Sequence, residues 1–367
     1  MLIASRLGEG DSPASALAAA LDPLPHAADV VLVTAPASWI TPGLASRLAA
    51  RFEGAAILAG SASGVVGGGI ERQGAPAVAV TTLQLPSGRA RWVDVDAPRL
   101  DGDEAVVLTL GTPEAVSDVR LARLAALPVP VVGGLVSGRR GNERVLARGE
   151  VTRGVAALAL SGAFTVETGV AQGCRPPGEP MIVVRADGHR LLELDAGRPL
   201  DVLRALHLRS RPEEQARLRD ALFLGVQMRD QTGPYRRGDF LVRPLLGAEP
   251  DRGVLAVAAR LDGHPVVQFH VRDAESSRAD LLARLEGARP EADGALMFTC
   301  LGRGEGLYGE PNHDAQRLSA ALFERDRHPA PLGGLFCNGE LGPVGGALHL
   351  HTYTTVWAAF YGSEDAE

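Results

Sequence analysis

The sequence predicts an α/β fold, with two domains of mixed β-sheets flanked by helices and built from internally duplicated strand-helix-strand-strand units. Three observations carry this. Short runs of apolar, β-branched residues recur along the chain, and their continuity fits strands covered on both faces. Helix-start signals stand between them. The same order of signals returns three times.

The first copy opens with the strand pattern Asp29-Val30-Val31-Leu32-Val33-Thr34. Thr41-Pro42, an N-cap residue with proline at the first helical position, then leads into Leu44, Leu48 and Phe52 at helical spacing. A second strand, 55–59, runs into the glycine-rich turn 60–69, and 75–83 supplies another strand. The second copy reads as strand 105–110, helix 117–127, strand and turn 129–138, and strand 154–160. The third reads as strand 294–299, helix 315–323, strand and turn 331–339, and strand 347–355. Between the second and third copies lies a turn-rich stretch, 173–178, then a hairpin with strands 181–185 and 189–194. Helical patterns follow at 201–206 and 213–222. A chain of 367 residues is about two to three times the usual domain length, so the expected division is 1–185 and 186–367.

Composition bounds the function. Hydrophobic residues make up 46% and charged residues 22%, which fits a globular chain and excludes a fibrous or disordered one. The formal charge is −7, and the basic residues are all arginine. Their densest group, Arg139, Arg140, Arg144 and Arg148, is interrupted by Glu143, so nucleic acid and anionic membrane surfaces are not expected partners. Arginine without lysine, together with 44 glycines, points to a GC-rich bacterial coding sequence. Three widely spaced cysteines, Cys174, Cys300 and Cys337, argue against a disulfide framework and for a reducing compartment. The first residues lack a basic segment followed by an apolar one, and no apolar run approaches the ~18 residues of a membrane span. The expected location is the cytoplasm.

Three stretches, Gly173-Cys174-Arg175-Pro176, Cys300-Leu301-Gly302-Arg303-Gly304 and Phe336-Cys337-Asn338-Gly339-Glu340-Leu341-Gly342-Pro343 followed by His351, resemble the FIST N and FIST C modules. That name abbreviates F-box and intracellular signal transduction. The resemblance spans about residues 28 to 361 and implies a FIST N-like domain over 1–185 and a FIST C-like domain over 186–367. It also implies a sensor of small molecules, amino acids among them. No kinase, cyclase, methyl-accepting or F-box segment accompanies the pattern, so the expected output runs through a signalling partner in trans.

The candidate ligand-binding residues cluster in the third copy. Arg303 stands between two glycines after a strand, where its guanidinium suits a carboxylate or phosphate, or alternatively an internal salt bridge to Glu340 or Asp314. Glu340 lies in a turn with Asn338, stiffened by glycines and a proline, and suits a ligand ammonium, a general base or a plain surface turn. Cys300 and Cys337 end two strands of one copy; His351 or His313 could serve as base for a thiolate, while a buried free cysteine is also an ordinary small apolar residue. His351 shares a strand face with His349. No C-x-x-C or H-x-x-x-H spacing supports a metal, no lysine is present for a phosphate loop, and no G-x-S-x-G elbow anchors a hydrolase triad. No cofactor and no catalytic residue is expected. The function predicted is a small-molecule-binding sensory protein; the alternatives are a cysteine-dependent enzyme and a protein-binding scaffold.

Overall fold

A computed structural model describes residues 1–228, 234–235, 238–263, 265–324 and 327–363. It is a mixed α/β structure that divides into two compact units, one made of Met1–Ala171 with Leu282–Glu367 and the other of Gln172–Leu281. A cut between residues 185 and 186 falls inside the strand Met181–Asp187, so the compact units are not the two halves of the sequence. The third copy belongs with the first two.

In the first unit each copy builds the same mixed sheet. Val30–Ala35 runs parallel to Ala56–Ser61 and antiparallel to Val78–Gln84. Glu104–Gly111 stands in the same relation to Val131–Leu135 and Val155–Ser161, and Gly294–Cys300 to Leu332–Cys337 and Thr355–Gly362. The parallel pairs are joined through the helices Pro42–Arg51, Asp118–Ala125 and His313–Leu322, as parallel strands require. Thr41 and Ser117 cap the first two helices by accepting hydrogen bonds from Leu44 N and Arg120 N. A leading strand completes each sheet on the far side of the last one: Leu2–Gly8, Arg89–Val93 and Phe164–Ala171.

The glycine-rich turns open into hairpins that leave their own copy. Gly64–Gly67 pairs with Leu332–Cys337 of the third sheet, Gly339–Val344 with Val131–Leu135 of the second, and Val145–Ala147 with Ala56–Ser61 of the first. The exchange is cyclic, so each six-stranded sheet ends in a hairpin supplied by another copy. One apolar core gathers the inward residues of all three sheets, among them Leu32, Leu58, Leu108, Leu158, Phe298, Leu335 and Phe360. The alternating residues Val31 and Val33 pack instead with Leu44, Leu48 and Phe52 of the helix above them. Burial on both faces is the physical reason the strands read as continuous apolar runs.

The second unit interrupts the third copy between its leading strand and Gly294–Cys300. Its antiparallel strands Met181–Asp187, Arg190–Leu194, Val254–Val257, Phe240–Glu249, Leu222–Gln227 and Val266–Arg272 pair in that order, and the last pairs back onto the first. The ring is therefore closed, with Cys174–Arg175 added outside Val266–Arg272. Leu191, Leu224, Leu255, Val267 and Phe269 fill it, with Leu206 and Leu218 of the helices Pro199–Arg209 and Pro212–Asp220. The hairpin and both helices follow the sequence reading; the strands after residue 222 were not expected from it.

Gly133 and Gly334 occupy matching places in the second and third sheets. Both have φ of +153°, and a Cβ on either would stand 1.8 Å from a carbonyl oxygen of the adjacent parallel strand, Thr109 O or Met297 O. Gly334→Ala and Gly133→Ala should each lower the unfolding free energy in urea by more than ~3 kcal/mol, beyond the common range for single substitutions. Gly306→Ala, in a helix with open space around it, should be neutral or mildly stabilising. A Gly334→Ala protein as stable as the parent would contradict this packing.

Candidate functional site

The cyclic exchange brings the three strand ends together. At the matching positions stand Ser63, Ser137 and Asn338, each just before a glycine. Ser137 N donates to Ser61 O and Asn338 N to Leu135 O, both at 2.9 Å. Ser137 Oγ donates to Phe336 O at 2.6 Å and accepts from Ser63 N at 2.9 Å. Asn338 Nδ2 donates to Val136 O at 3.2 Å. Asn338 and Ser63 are exposed, while Ser137 is buried. Asn338 is thus at the surface of the junction, set apart from the other candidate residues, which are buried.

Cys300 and Cys337 are direct register partners at the ends of two parallel strands. Arg303 N donates to Cys300 O across the following turn, and Leu301 N to Cys337 O. Glu340 faces His351 across an antiparallel pair and accepts a hydrogen bond from Thr354 N at 3.2 Å. His351 Nε2 donates to Gly342 O at 3.0 Å, and its ring meets that of His349 edge-on at 5.9 Å, as two residues on one strand face do. Glu340 is 0% exposed. Burial pushes its carboxyl well above the usual range, against the opposing pull of Thr354 N, Arg303 and Cys300. The Cys337 thiol is pushed up by burial and by the proximity of Glu340 and Cys300, the reverse of what activates a thiolate.

Arg303 is 1% exposed and forms a fork with the buried Asp314, Nε to Oδ2 at 2.6 Å and Nη2 to Oδ1 at 3.1 Å. Of the two readings of Arg303 in the sequence, the internal salt bridge to Asp314 is the contact formed. Asp314 also accepts from His313 Nδ1 and Thr355 Oγ1. Burial alone would raise its carboxyl; the Arg303 guanidinium and these donors hold it well below the carboxylate range. Tyr308 stacks on His313 with ring centres 3.4 Å apart. The residue that sequence reasoning missed is Glu71, which arrives on the hairpin from the first copy. Its carboxylate accepts from Ala315 N at 2.8 Å, and its N–H donates to Asn312 Oδ1 at 2.7 Å. Burial first, then the charge of Asp314, push it up to about 7. Only the pairing of one copy's hairpin with another's sheet brings it here, and no local pattern signals that.

The pairing registers also assign five of the six candidate residues, all but Arg303, a counterpart in the first copy. Val65 meets Leu335 and Arg72 as Glu340 meets Gly134 and His351. Counting from these pairs, Cys337 corresponds to Ala62, Asn338 to Ser63, Cys300 to Pro36 and His351 to Arg72. These five counterparts line one cleft of about 470 Å³.

These features define a triplicated, mixed-sheet α/β protein with an inserted closed sheet and a buried polar cluster at the strand ends of its third copy. The chain belongs to the FIST family: the FIST N domain model matches residues 29–197 and the FIST C domain model residues 199–343. FIST domains are signal-transduction sensory domains. The chain is 35% identical over 337 residues to an uncharacterized protein of Mycobacterium tuberculosis strain CDC 1551 / Oshkosh, covering 86% of each chain, and to one of strain H37Rv with the same identity and coverage. An uncharacterized protein of Mycobacterium bovis is 38% identical over 237 residues, covering 63% of this chain and 60% of its own. Among the described residues no helix is long and apolar enough to cross a membrane.

Two outcomes follow from the cluster. Arg303→Met strands Asp314 as a buried charge and should cost about 3–5 kcal/mol, most of which the pair Arg303→Met with Asp314→Leu should regain; a single variant of unchanged stability would remove the argument. Glu71 has a folded value raised from 4.5 to about 7, so the fold holds its proton more tightly than the unfolded chain does. Its contribution is fully present below pH 4.5 and lost as pH rises through about 7. Glu71→Gln should therefore flatten the fall in stability between these values and stabilise the protein at pH 8 by on the order of 3 kcal/mol. Unfolding curves at pH 5 and 8 decide it, and an unaltered pH slope in the variant is the contrary result.

Proposed function

We propose that this chain is a small-molecule-binding sensory protein of bacterial signal transduction, acting in the cytoplasm and passing its output to a protein partner in trans. Its ligand is a small polar molecule such as an amino acid, and its site is at the strand ends of the third copy. Cys300, Cys337, Glu340 and His351 form the floor of that site, Asn338 its exposed edge, and Arg303 fixes the turn beside them.

The observation that supports this reading is Glu340 against Val65. The same position of the same sheet architecture takes an apolar residue in the first copy, so folding does not require an acid there. Burying a carboxyl costs stability that an apolar residue there would not, and such groups gather at functional sites. Beside two thiols and a histidine, Glu340 offers a polar contact that an apolar core would not. The cysteine-enzyme alternative is less well supported, because the Cys337 thiol is driven toward its neutral form.

The test is a thermal-shift screen with the individual proteinogenic amino acids. One of them should stabilise the protein, by about 2.7 kcal/mol when present at 100 times its dissociation constant. Glu340→Val, which installs the first copy's residue, should fold with equal or greater stability and lose that shift. Collapse of Glu340→Val in the absence of ligand would mean that the acid serves the fold. Iodoacetamide should label Cys337 slowly at pH 6, and rapid labelling that depends on His351 would favour the enzyme.

A further inference from the structure

The cleft at the strand ends of the first copy, whose wall also includes Arg139 and Asn142 of the second, differs in chemistry from the cluster of the third copy. Where the third copy sets His351 opposite Glu340, the first sets Arg72 opposite Val65. The acid is gone and a guanidinium has taken the histidine's place. Ser38, Ser63, Arg139 and Asn142 add two hydroxyls, a second guanidinium and an amide to the lining, and no aspartate or glutamate is among the lining residues. Arg72 is held from one side by Glu9, with Nε 2.5 Å from Oε1, in a pair that is part-exposed. Arg139 is exposed and has no ion pair among the described residues. In a chain of formal charge −7, this is a concave surface with positive charge and hydrogen-bond donors converging on it, of a size common for small-ligand sites.

We propose that this cleft binds a small organic carboxylate, with Arg139 as its principal anion contact, Arg72 as the second, and Ser63 and Asn142 holding the polar groups beyond the carboxylate. The proposal rests on the sensory reading of the chain but not on the third copy's residues. The junction connects this cleft to the third copy. Ser63, on the cleft wall, donates through its N–H to Ser137, which donates to Phe336 O one residue before Cys337. The wall of the cleft is thus hydrogen-bonded, through Ser137, to the strand end of the third copy.

The experiment is a thermal-shift and calorimetric titration of the whole chain with succinate and L-glutamate, each against its neutral amide, succinamide and L-glutamine. At least one carboxylate is expected to bind, with its amide much weaker. Arg139→Ala should weaken the binding about ten- to a hundredfold, the ratio that goes with loss of one charge-assisted contact. Arg139→Lys should retain part of it, and Arg72→Ala should weaken it further. Because Arg139 is exposed, the ligand-free melting temperature of its variants reports whether folding is intact. Binding that survives both arginine substitutions but disappears in His351→Ala would place the ligand in the third copy, leaving the sensor and removing this site. Equal response to carboxylates and amides, or to neither, would also overturn it.

Discussion

No copy of the repeated unit in this protein can finish its own sheet. The parallel strand at the edge of each sheet presents a row of unpaired backbone groups, and the hairpin that satisfies them always comes from another copy. An open edge of that kind invites association with other chains; here the cyclic exchange closes all three edges inside one molecule. Much else follows from this constraint. The hairpins must leave their parent sheets at sharp, glycine-containing turns, and the three turns must meet. Their meeting point is the hydrogen-bonded junction of Ser63, Ser137 and Asn338, and beside it the first and third copies place residues of different chemistry at matched positions.

That difference is informative because the three copies act as internal controls for one another. At a place where one copy is content with proline, alanine and valine, another installs two cysteines and a glutamate. The cost of burying Glu340 and Asp314 is met in two ways. Asp314 remains ionised because it has a complete set of donors, including the arginine fork. Glu340, with fewer, is driven toward its neutral form. Two carboxyls of similar depth thus take opposite protonation states, set by their neighbours and not by their burial.

Most of the first unit was legible in the sequence. Thr41-Pro42 marked a helix start that the structure places there, and the apolar runs at Val30, Val107 and Ala295 became strands buried on both faces. The helix expected from Ala315 begins at His313, because Asn312 turns the chain into it with positive φ. What periodicity could not reveal was long-range pairing. The turns after Ser63 and Asn338 were visible as glycine-rich segments, but not that each feeds a neighbouring copy's sheet, so Glu71 was missed. Cys300 and Cys337 were read as the ends of two strands of one copy, which the structure pairs in register, whereas Glu340, read as a turn residue, lies in the strand Gly339–Val344. The burial of Arg303 against Asp314 was open between two readings, since bidentate arginine serves ligands and salt bridges equally well. The closed sheet of the second unit was only half anticipated, since its strands are short and its pairings distant.

The order in which a ribosome delivers these strands has its own consequence. The hairpin of the first copy emerges early, yet the strand that receives it, Leu332–Cys337, is translated more than two hundred and fifty residues later. During that interval the first sheet, whose last strand ends at Thr152, and the closed sheet of the second unit have all their strands in hand, whereas the second and third sheets still lack strands that lie beyond residue 330. The growing chain must therefore carry the unpaired hairpin of the first copy until Leu332–Cys337 has been made. The segment Gly64–Gln73, held in waiting with Glu71 on its second strand, is then exposed to pairing with the wrong partner.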